Sequence, residues 1–535
     1  MTRSGRFPSQ PGSSAGWQVQ PLTPASRLFG SNGLRTGPDG RVYVAQVTGS
    51  QISAVDLDTG EVDVVSPKGG AVVAPDDAAF DSQGSMFVTE VMDGRVSVLD
   101  GDRTRVLRDD LPVANGITVY RDRLFIGECR EGGRILELDR ATGRERILLE
   151  NVPSPNAMEV GPDGLLYFPV MGANEIWRID PDAEGPCRPQ RVAGDLGVPD
   201  SVKFDSDGSI VSTQVATGEV LRVDPRTGES TVLATLSPGL DNLTFGSGAH
   251  RGRLFVSNFT GEITEILGPG STRTLLPGGL NWPLDLAVGD DGVLYIADGT
   301  FFYALRDGAL QTIGMLFSPG YPGFLRGVTP AGGGHFVVTT SGGQVARYRP
   351  TDSETDYLAD GFDQLYGVDL APDGSAVVAE LGTGRVLSVT AGNTEVLGSG
   401  LADPVGVLVD TSGSVLVTEA AAGRVVKLAG GRVQTVLDGL DTPHGLTELG
   451  GALYVVDAGA KTVVEFDPAT GSRTAIASGL PIGAPPGVVP KPLLGMPPFS
   501  GPQGPFAGIT AGPDGTLYVS ADGDGSVLAL RPPAR

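Results

Sequence analysis

Residues 37–65, GPDGRVYVAQVTGSQISAVDLDTGEVDVV, decide the fold. Asp39-Gly40 is a hairpin turn, and Val42–Gln46 follows it as a short run of alternating apolar positions. A second turn falls near Gly49, and Asp56–Gly60 (DLDTG) separates two further short apolar runs. Period-2 segments this brief, each bounded by turn residues, are hairpin-linked strands and leave no room for a helix. The phrase returns at 204–233 (FDSDGSIVSTQVATGEVLRVDPRTGESTVL) and at 370–389 (LAPDGSAVVAELGTGRVLSV).

Working outward, a unit of roughly 40 residues repeats from Leu28 to the C-terminus. Twelve inner strands begin near Asn32, Asp76, Asn115, Asn156, Asp200, Asp241, Leu284, Arg326, Tyr366, Val405, His444 and Ala507. Four strands per unit make a propeller blade, and radial repetition hides the sheet edges. Twelve blades exceed the usual 4–8 of one ring. The expected fold class is therefore all-β, with twelve four-stranded blades arranged as two tandem six-bladed β-propellers. The expected boundary is Pro277–Leu280 (PGGLNWP), giving propellers over 28–279 and 280–535. The last unit runs out after its third strand at SVLALRPPAR, and Trp17–Pro21 (WQVQP), in the tail 1–27, is the expected outer strand. A Pro/Gly-rich insertion, 481–505, precedes the last inner strand, as a lid or a long surface loop.

Composition agrees. Gly and Pro make up about 23% of 535 residues against an average of roughly 12%. A hydrophobic fraction of 40% excludes general disorder, and a charged fraction of 19% excludes a coiled coil. The net charge of −24 argues against nucleic acid and anionic lipid as partners. Two cysteines, Cys129 and Cys187, form no disulfide framework. There is no 18-residue apolar run, and the first 17 residues lack the apolar core of a signal peptide. A cytoplasmic protein, monomeric or a small homo-oligomer, acting on a small-molecule substrate, is expected.

The first residue of each inner strand faces the channel. In the first propeller this ring is Asn32, Asp76, Asn115, Asn156, Asp200 and Asp241, all Asn or Asp. In the second it is Leu284, Arg326, Tyr366, Val405, His444 and Ala507, none of them Asn or Asp. Asn and Asp favour loop-to-strand junctions on turn chemistry alone. That preference acts equally in both halves, so the contrast favours a functional ring. Oxygen donors without His or Cys suit calcium, magnesium or manganese. The second-strand ends add Gln46, Glu90, Glu128, Gln214 and Asn258 to the same mouth. Facing carboxylates repel, which calls for a cation or raised pKa values.

Three stretches, PVANGITV (112–119), SPNAMEVGPDGLLYF (154–168) and VPDSVKFDSDGSIV (198–211), resemble inner-strand motifs of the regucalcin/gluconolactonase superfamily. Members are six-bladed propellers with one catalytic divalent metal, and they open lactones or cleave phosphoesters. The resemblance implies Asn115, Asn156 and Asp200 as ligands or channel contacts, with Asp241 as a further metal candidate. The family's first-blade Glu is absent: GSNGL puts Asn32 there, and Asp76 or Asp241 would restore the charge. The implied chemistry is hydrolysis of a lactone or ester, with Asp200 the first candidate base and Asp76 the second. Glu90 and Glu128 would orient ligands.

The second channel offers Arg326, Tyr366 and His444, with Asp298, Glu380, Glu419 and Asp457 at second-strand ends. A carboxylate from Asp457 beside His444 would raise the histidine pKa and fix its tautomer. The runs 403–426 (DPVGVLVDTSGSVLVTEAAAGRVV) and 442–464 (TPHGLTELGGALYVVDAGAKTVV) resemble streptogramin-lyase-type propellers, which implies elimination with a His and a divalent cation; His444 is the matching histidine. The alternatives to a first-channel hydrolase are thus a lyase, cyclase or isomerase acting on a secondary metabolite through His444, or a non-catalytic binding scaffold. The chain has no G-x-S-x-G, P-loop or H-E-x-x-H motif.

Overall fold

A computed structural model describes residues 6, 10–14, 16–101, 103–496 and 506–533. Among them are twelve β-sheets and two single-turn 3₁₀ segments, Met171–Ala173 and Gly248–His250. The expected class, all-β sheets in propeller order, is the one observed. No helix of the described residues is long and apolar enough to cross a membrane. The chain divides into two compact units, Arg27–Gly279 with Val488–Leu493, and Met1–Ser26 with Leu280–Gly487 and Leu494–Arg535. Part of the 481–505 insertion, residues 497–505, lies outside the described residues, as does most of the first nine.

The first unit holds six sheets, with inner strands Leu34–Thr36, Pro75–Phe80, Ala114–Tyr120, Glu159–Val160, Pro199–Phe204 and Leu240–Phe245. Each sheet is an antiparallel meander of four consecutive strands. Successive inner strands touch, and the sixth returns to the first, so the ring is closed. The closure is hydrogen-bonded: Ser31 Oγ donates to the Asn258 carbonyl and Ser257 Oγ to the Asn32 carbonyl, each at 2.8 Å.

Glycine after the ring position permits this approach. A Cβ at Gly33 would overlap the Asp76 carbonyl, and one at Gly116 the Asn156 carbonyl. Facing sheets bury the walls between them. Phe87, Val96 and Val98 of one sheet meet Leu111, Ile117, Leu124 and Ile126 of the next. Middle strands such as Met86–Glu90 are buried throughout, whereas the outer strand Arg103–Arg108 is mostly exposed.

The second unit repeats the plan with inner strands Asp285–Val288, Leu325–Pro330, Leu365–Leu370, Pro404–Val409, Pro443–Leu449 and Ile509–Ala511, again in a closed ring. Two of its sheets borrow strands. Gln18–Pro21 pairs antiparallel with Ser526–Arg531, in the register Gln18 opposite Arg531 and Pro21 opposite Leu528. Gly12–Ser13 adds a fifth strand outside Arg473–Ser478, so one blade departs from the expected four. Trp17 is buried edge-on to Tyr454, with centroids 5.7 Å apart.

Candidate functional site

In the first unit the six Asn and Asp residues gather at one end of the channel. Asn156 Nδ2 donates to Asp200 Oδ2 at 2.8 Å, and Asn32 Nδ2 donates to Asp241 Oδ2 at 3.0 Å. Burial pushes all three acids up, with repulsion from Asp77 added for Asp76, which reaches about 7, and from Asp76 and Asp77 for Asp200; Asp241 is raised by burial, Asp200 and Asp76, and both Asp200 and Asp241 lie well above the usual carboxylate range. The same three charges raise the half-buried Cys129 thiol, after burial itself. Asp76 is partly exposed, and its carboxylate receives no hydrogen bond among the described residues. Asn115 Oδ1 is buried with no hydrogen-bond partner.

Do these residues suit a cation? The donors are hard oxygens, and an orphaned buried amide oxygen at one ring position with buried acids of raised pKa at three others fits one. However, no three His, Cys, Asp or Glu side chains among the described residues are arranged to hold a metal ion. A cation here would therefore draw on the asparagine amides.

A second layer lies three residues further along the inner strands, at Arg35, Glu159 and Lys203. Arg35 Nη1 pairs with Glu159 at 3.2 Å and Lys203 Nζ with Glu159 at 3.0 Å. Arg35 also lies 3.8 Å from Asp77, whose carboxylate accepts the amides of Ala78 (2.8 Å) and Ile117 (3.2 Å). This ion-paired layer stands between the Asn/Asp end and a cleft of about 530 Å³ that Arg35, Phe80, Glu159, Lys203 and Phe245 line. Sequence reading missed the layer. The signal was present, because Arg35, Glu159 and Lys203 each follow a ring residue, Asn32, Asn156 or Asp200, by three.

The second-strand ends, expected at the mouth, serve elsewhere. Glu90 accepts the Val73 amide (2.5 Å) and pairs with Arg95 (2.6 Å). Glu128 pairs with Arg130 (3.1 Å) and Arg134. Gln46 and Gln214 accept the amides of Phe29 (2.9 Å) and Gly197 (3.0 Å). Asn258 donates to the carbonyls of Ser237 and Pro238, each at 3.1 Å. In the second unit Asp298, Glu380 and Glu419 take the amides of Trp282 (2.7 Å), Asp363 (2.9 Å) and Ala402 (2.8 Å). Glu128 is spent on arginines and Asn258 on carbonyls, whereas the other six side chains satisfy amides, without ladder partners, of the loop entering the inner strand.

Asp457 belongs to this group. It accepts the amides of Asp441 (2.8 Å), Thr442 (2.9 Å) and Ala460 (3.3 Å). The expected raising of the His444 pKa is therefore corrected: burial pulls the imidazole down to about 4, outweighing the Asp457 charge. His444 is buried and its Nδ1 has no hydrogen-bond partner. The channel here is a cavity of about 280 Å³ that includes Asp285, Arg326, Tyr366, Asp369, His444 and Phe506 in its walls. The Arg326 guanidinium carbon lies 4.9 Å from the Tyr366 ring centre and 5.7 Å from that of Phe506, and Nη1 donates to the Leu365 carbonyl at 3.2 Å. Asp285 and Asp369, unforeseen in the sequence, each bridge two neighbouring inner strands by accepting an amide from both.

Two propeller units with polar channels define the class of protein. More particularly, residues 125–260 match the family model described as SMP-30/Gluconolactonase/LRE-like region. The resemblance read from the inner-strand motifs is borne out over that stretch. No curated protein matches the chain in sequence. Similar solved structures include a gluconolactonase from Xanthomonas campestris (19% identity, 50% of this chain and 91% of that one, TM-score 0.38). Others are virginiamycin B lyase from Staphylococcus aureus (17%, 53% and 96%, 0.38) and regucalcin, a calcium-binding protein, from Agrobacterium tumefaciens (18%, 48% and 96%, 0.39).

Proposed function

We propose that the first propeller is a divalent-cation-dependent hydrolase of lactones or related esters, working at the Asn/Asp end of its channel. Calcium or magnesium, or manganese in their place, would be held by oxygens of Asn115, Asn156, Asp200 and Asp241. One observation carries the reading: Asp76, Asp200 and Asp241, all raised by burial and by neighbouring carboxylates, share a ring position with Asn115, whose buried side-chain oxygen no donor reaches. The gluconolactonase-like match supports it, since Asn156, Asp200 and Asp241 fall inside residues 125–260.

When bound, the cation supplies Lewis-acid polarisation of the substrate carbonyl. The remaining work falls to the chain. Asp76, partly exposed and with a pKa near 7, accepts at its carboxylate the proton of the water that attacks the carbonyl carbon. It returns that proton to the ring oxygen as the C–O bond breaks and the hydroxy acid forms. Asp200, tied to Asn156, is an anchoring charge rather than the base, which reverses the order of the two candidates. Asn32 orients the substrate. Arg35, Glu159 and Lys203 close the channel behind it with matched charge.

The test is metal analysis of purified protein, with melting curves in EDTA and in added calcium, magnesium or manganese, and turnover on a panel of δ- and γ-lactones. The expected outcome is a stoichiometric ion that raises Tm and is lost, together with turnover, in Asp200→Ala. Asp76→Asn should retain the ion and lower kcat by about 10²–10⁴-fold. Lactone turnover unchanged in Asp200→Ala would overturn the reading.

A further inference from the structure

We infer that the first propeller takes lactones whose ring carries an alkyl or aryl group in preference to sugar lactones, with Cys129 and Met171 as the wall that selects them. This rests on the proposed hydrolase reading and names its substrate class.

The wall is built at one position of the repeat. The residue that follows each second strand of this unit is Val47, Val91, Cys129, Met171, Val215 or Phe259, so all six are aliphatic, aromatic or sulfur-bearing. In the second unit the same position reads Gly299, Ser341, Leu381, Ala420, Ala458 and Asp522, so the fold itself does not demand apolar side chains there. Backbone hydrogen bonds fix the six beside the Asn/Asp ring. The amides of Val91, Cys129, Met171, Val215 and Phe259 donate, at 2.9–3.1 Å, to the carbonyls of Ala74, Val113, Ser154, Val198 and Gly239. Each of those carbonyls lies two residues before a ring residue. The Val47 amide donates to Asn32 Oδ1 itself at 3.2 Å.

The three valines are buried, and Cys129, Met171 and Phe259 are half-buried, so these last three present surface. Cys129 Sγ lies 3.9 Å from Met171 Sδ, which accepts Asn156 Nδ2 at 3.1 Å. Two soft, polarizable sulfurs thus stand against one of the residues proposed to hold the cation, and such atoms pack readily on hydrocarbon and aromatic groups.

A sugar lactone needs a partner for each hydroxyl, and the polar side chains at this level are spent. Gln46, Glu90 and Gln214 take loop amides, and Glu128 takes arginines. Asn258 donates to carbonyls, while Asn32 and Asn156 hold Asp241 and Asp200. A hydroxyl that left water to meet Cys129 and Met171 would regain little, because a thiol is a weak donor and a thioether a weak acceptor. An alkyl or aryl group gains by the same transfer. The rim adds apolar surface. Residues 488–493 pack beside the loop that leads to Asp76, where a Cβ on Gly69 would lie 3.0 Å from Val488 and Lys491 Nζ donates to the Ala71 carbonyl at 3.0 Å. Val489 is left 83% exposed there.

The experiment pairs turnover with binding, in the full chain with calcium and magnesium present. γ-Decanolactone and dihydrocoumarin are compared with glucono-δ-lactone as substrates. By calorimetric titration and thermal shift, 5-hexyl-2-pyrrolidinone, a lactam that resists hydrolysis, is compared with 2-pyrrolidinone and gluconolactam. At least one apolar lactone should exceed glucono-δ-lactone in kcat/KM by about tenfold or more, and the hexyl lactam should bind more tightly than either other lactam by a similar factor. Met171→Gln and Cys129→Ser, each close in size to the residue replaced, should each weaken hexyl-lactam binding about threefold or more, and Met171→Leu should preserve it. The inference is overturned by glucono-δ-lactone turnover that matches the apolar lactones, by equal binding of gluconolactam, or by hexyl-lactam affinity untouched in both polar variants. Turnover of any lactone in those cases leaves the hydrolase reading standing. Hexyl-lactam selectivity without turnover of any lactone would uphold the selective wall and overturn the hydrolase reading, and the absence of both would overturn the two together.

Discussion

At the residue scale, one position per blade carries two different chemistries, and in nine of the twelve blades a Gly, Ala or Ser follows it, with Asp77, Asn242 and Asp285 in the other three. Gly445 illustrates this: a Cβ there would crowd the Ala507 carbonyl, and with hydrogen alone its amide donates to that carbonyl at 2.9 Å. The strands can close tightly whether the side chain before the glycine is Asn32 or Asn115 of the first ring or His444 of the second. What differs is the pH response. His444 is held at about 4 against an ordinary 6.5, so between these values the unfolded chain binds a proton that the folded one does not. Its contribution is therefore complete above about 6.5 and is lost as pH falls towards 4. Asp285 and Asp298, both at about 7, act in the opposite sense: the folded state keeps protons that the unfolded state releases, and stability falls as pH rises from about 4 to 7. A difference measurement separates them. Relative to His444→Leu, the wild-type chain should lose up to ~3 kcal/mol between pH 6.5 and 4, read as denaturation midpoints at several pH values. Parallel curves for the two proteins would show that the imidazole is not held neutral.

At the element scale, the borrowed strand Gln18–Pro21 covers what would otherwise be an open edge on Ser526–Arg531. Unpaired edges template aggregation. The strand is locked further on: the Leu22 amide donates to the Val527 carbonyl (2.8 Å), and the Val527 amide to Thr23 Oγ1 (2.9 Å). Trp17→Ala should cost about 3–5 kcal/mol of stability by opening a cavity against Tyr454. Removing residues 1–21 should give a protein that scatters light on mild warming, with a peptide of residues 10–24 restoring the melt when added in trans. A truncated chain that melts like the intact one would show the strand to be dispensable.

The repeat made the sheets readable, because Asp-Gly and D-x-x-T-G turns punctuate most of them. Asp56, for example, accepts the Thr59 amide at 2.8 Å. The Asn/Asp ring was readable for the same reason, since it sits at a fixed offset from those turns. The roles of Glu90, Glu128 and Asp457 were not. Whether an acid at a strand end turns to the channel or to the loop above depends on which amides lack partners, and that is a property of the folded loop. Arg35, Glu159 and Lys203 were overlooked because charged residues at alternate strand positions ordinarily mean a solvated face; inside a propeller the same alternation points into the channel.

At the scale of the whole molecule, the two units reach closure by different routes. The unit of Arg27–Gly279 builds every sheet from four consecutive strands, and its ring closes through inner strands and side chains alone, with Asn32 on Asp241 and Thr36 Oγ1 donating to the Phe245 carbonyl at 2.8 Å. The other unit needs residues from the start of the chain to finish two of its sheets. A segment of 27–279 therefore already holds its complete set of strands, whereas 280–535 lacks three buried or strand-forming stretches, Gly12–Ser13, Trp17 and Gln18–Pro21. Expressed alone, 27–279 should be soluble and melt cooperatively, and it should show the same cation-dependent rise in Tm as the full chain. The segment 280–535 should aggregate, and fusing residues 10–26 to its C-terminus through a flexible linker should rescue it, because the borrowed strand runs antiparallel to Ser526–Arg531 and follows it as a hairpin would. Circular dichroism and size-exclusion chromatography decide the matter. If 27–279 fails to fold while 280–535 folds unaided, strand completion is not what closes these rings, and the burial between facing sheets must be enough without it.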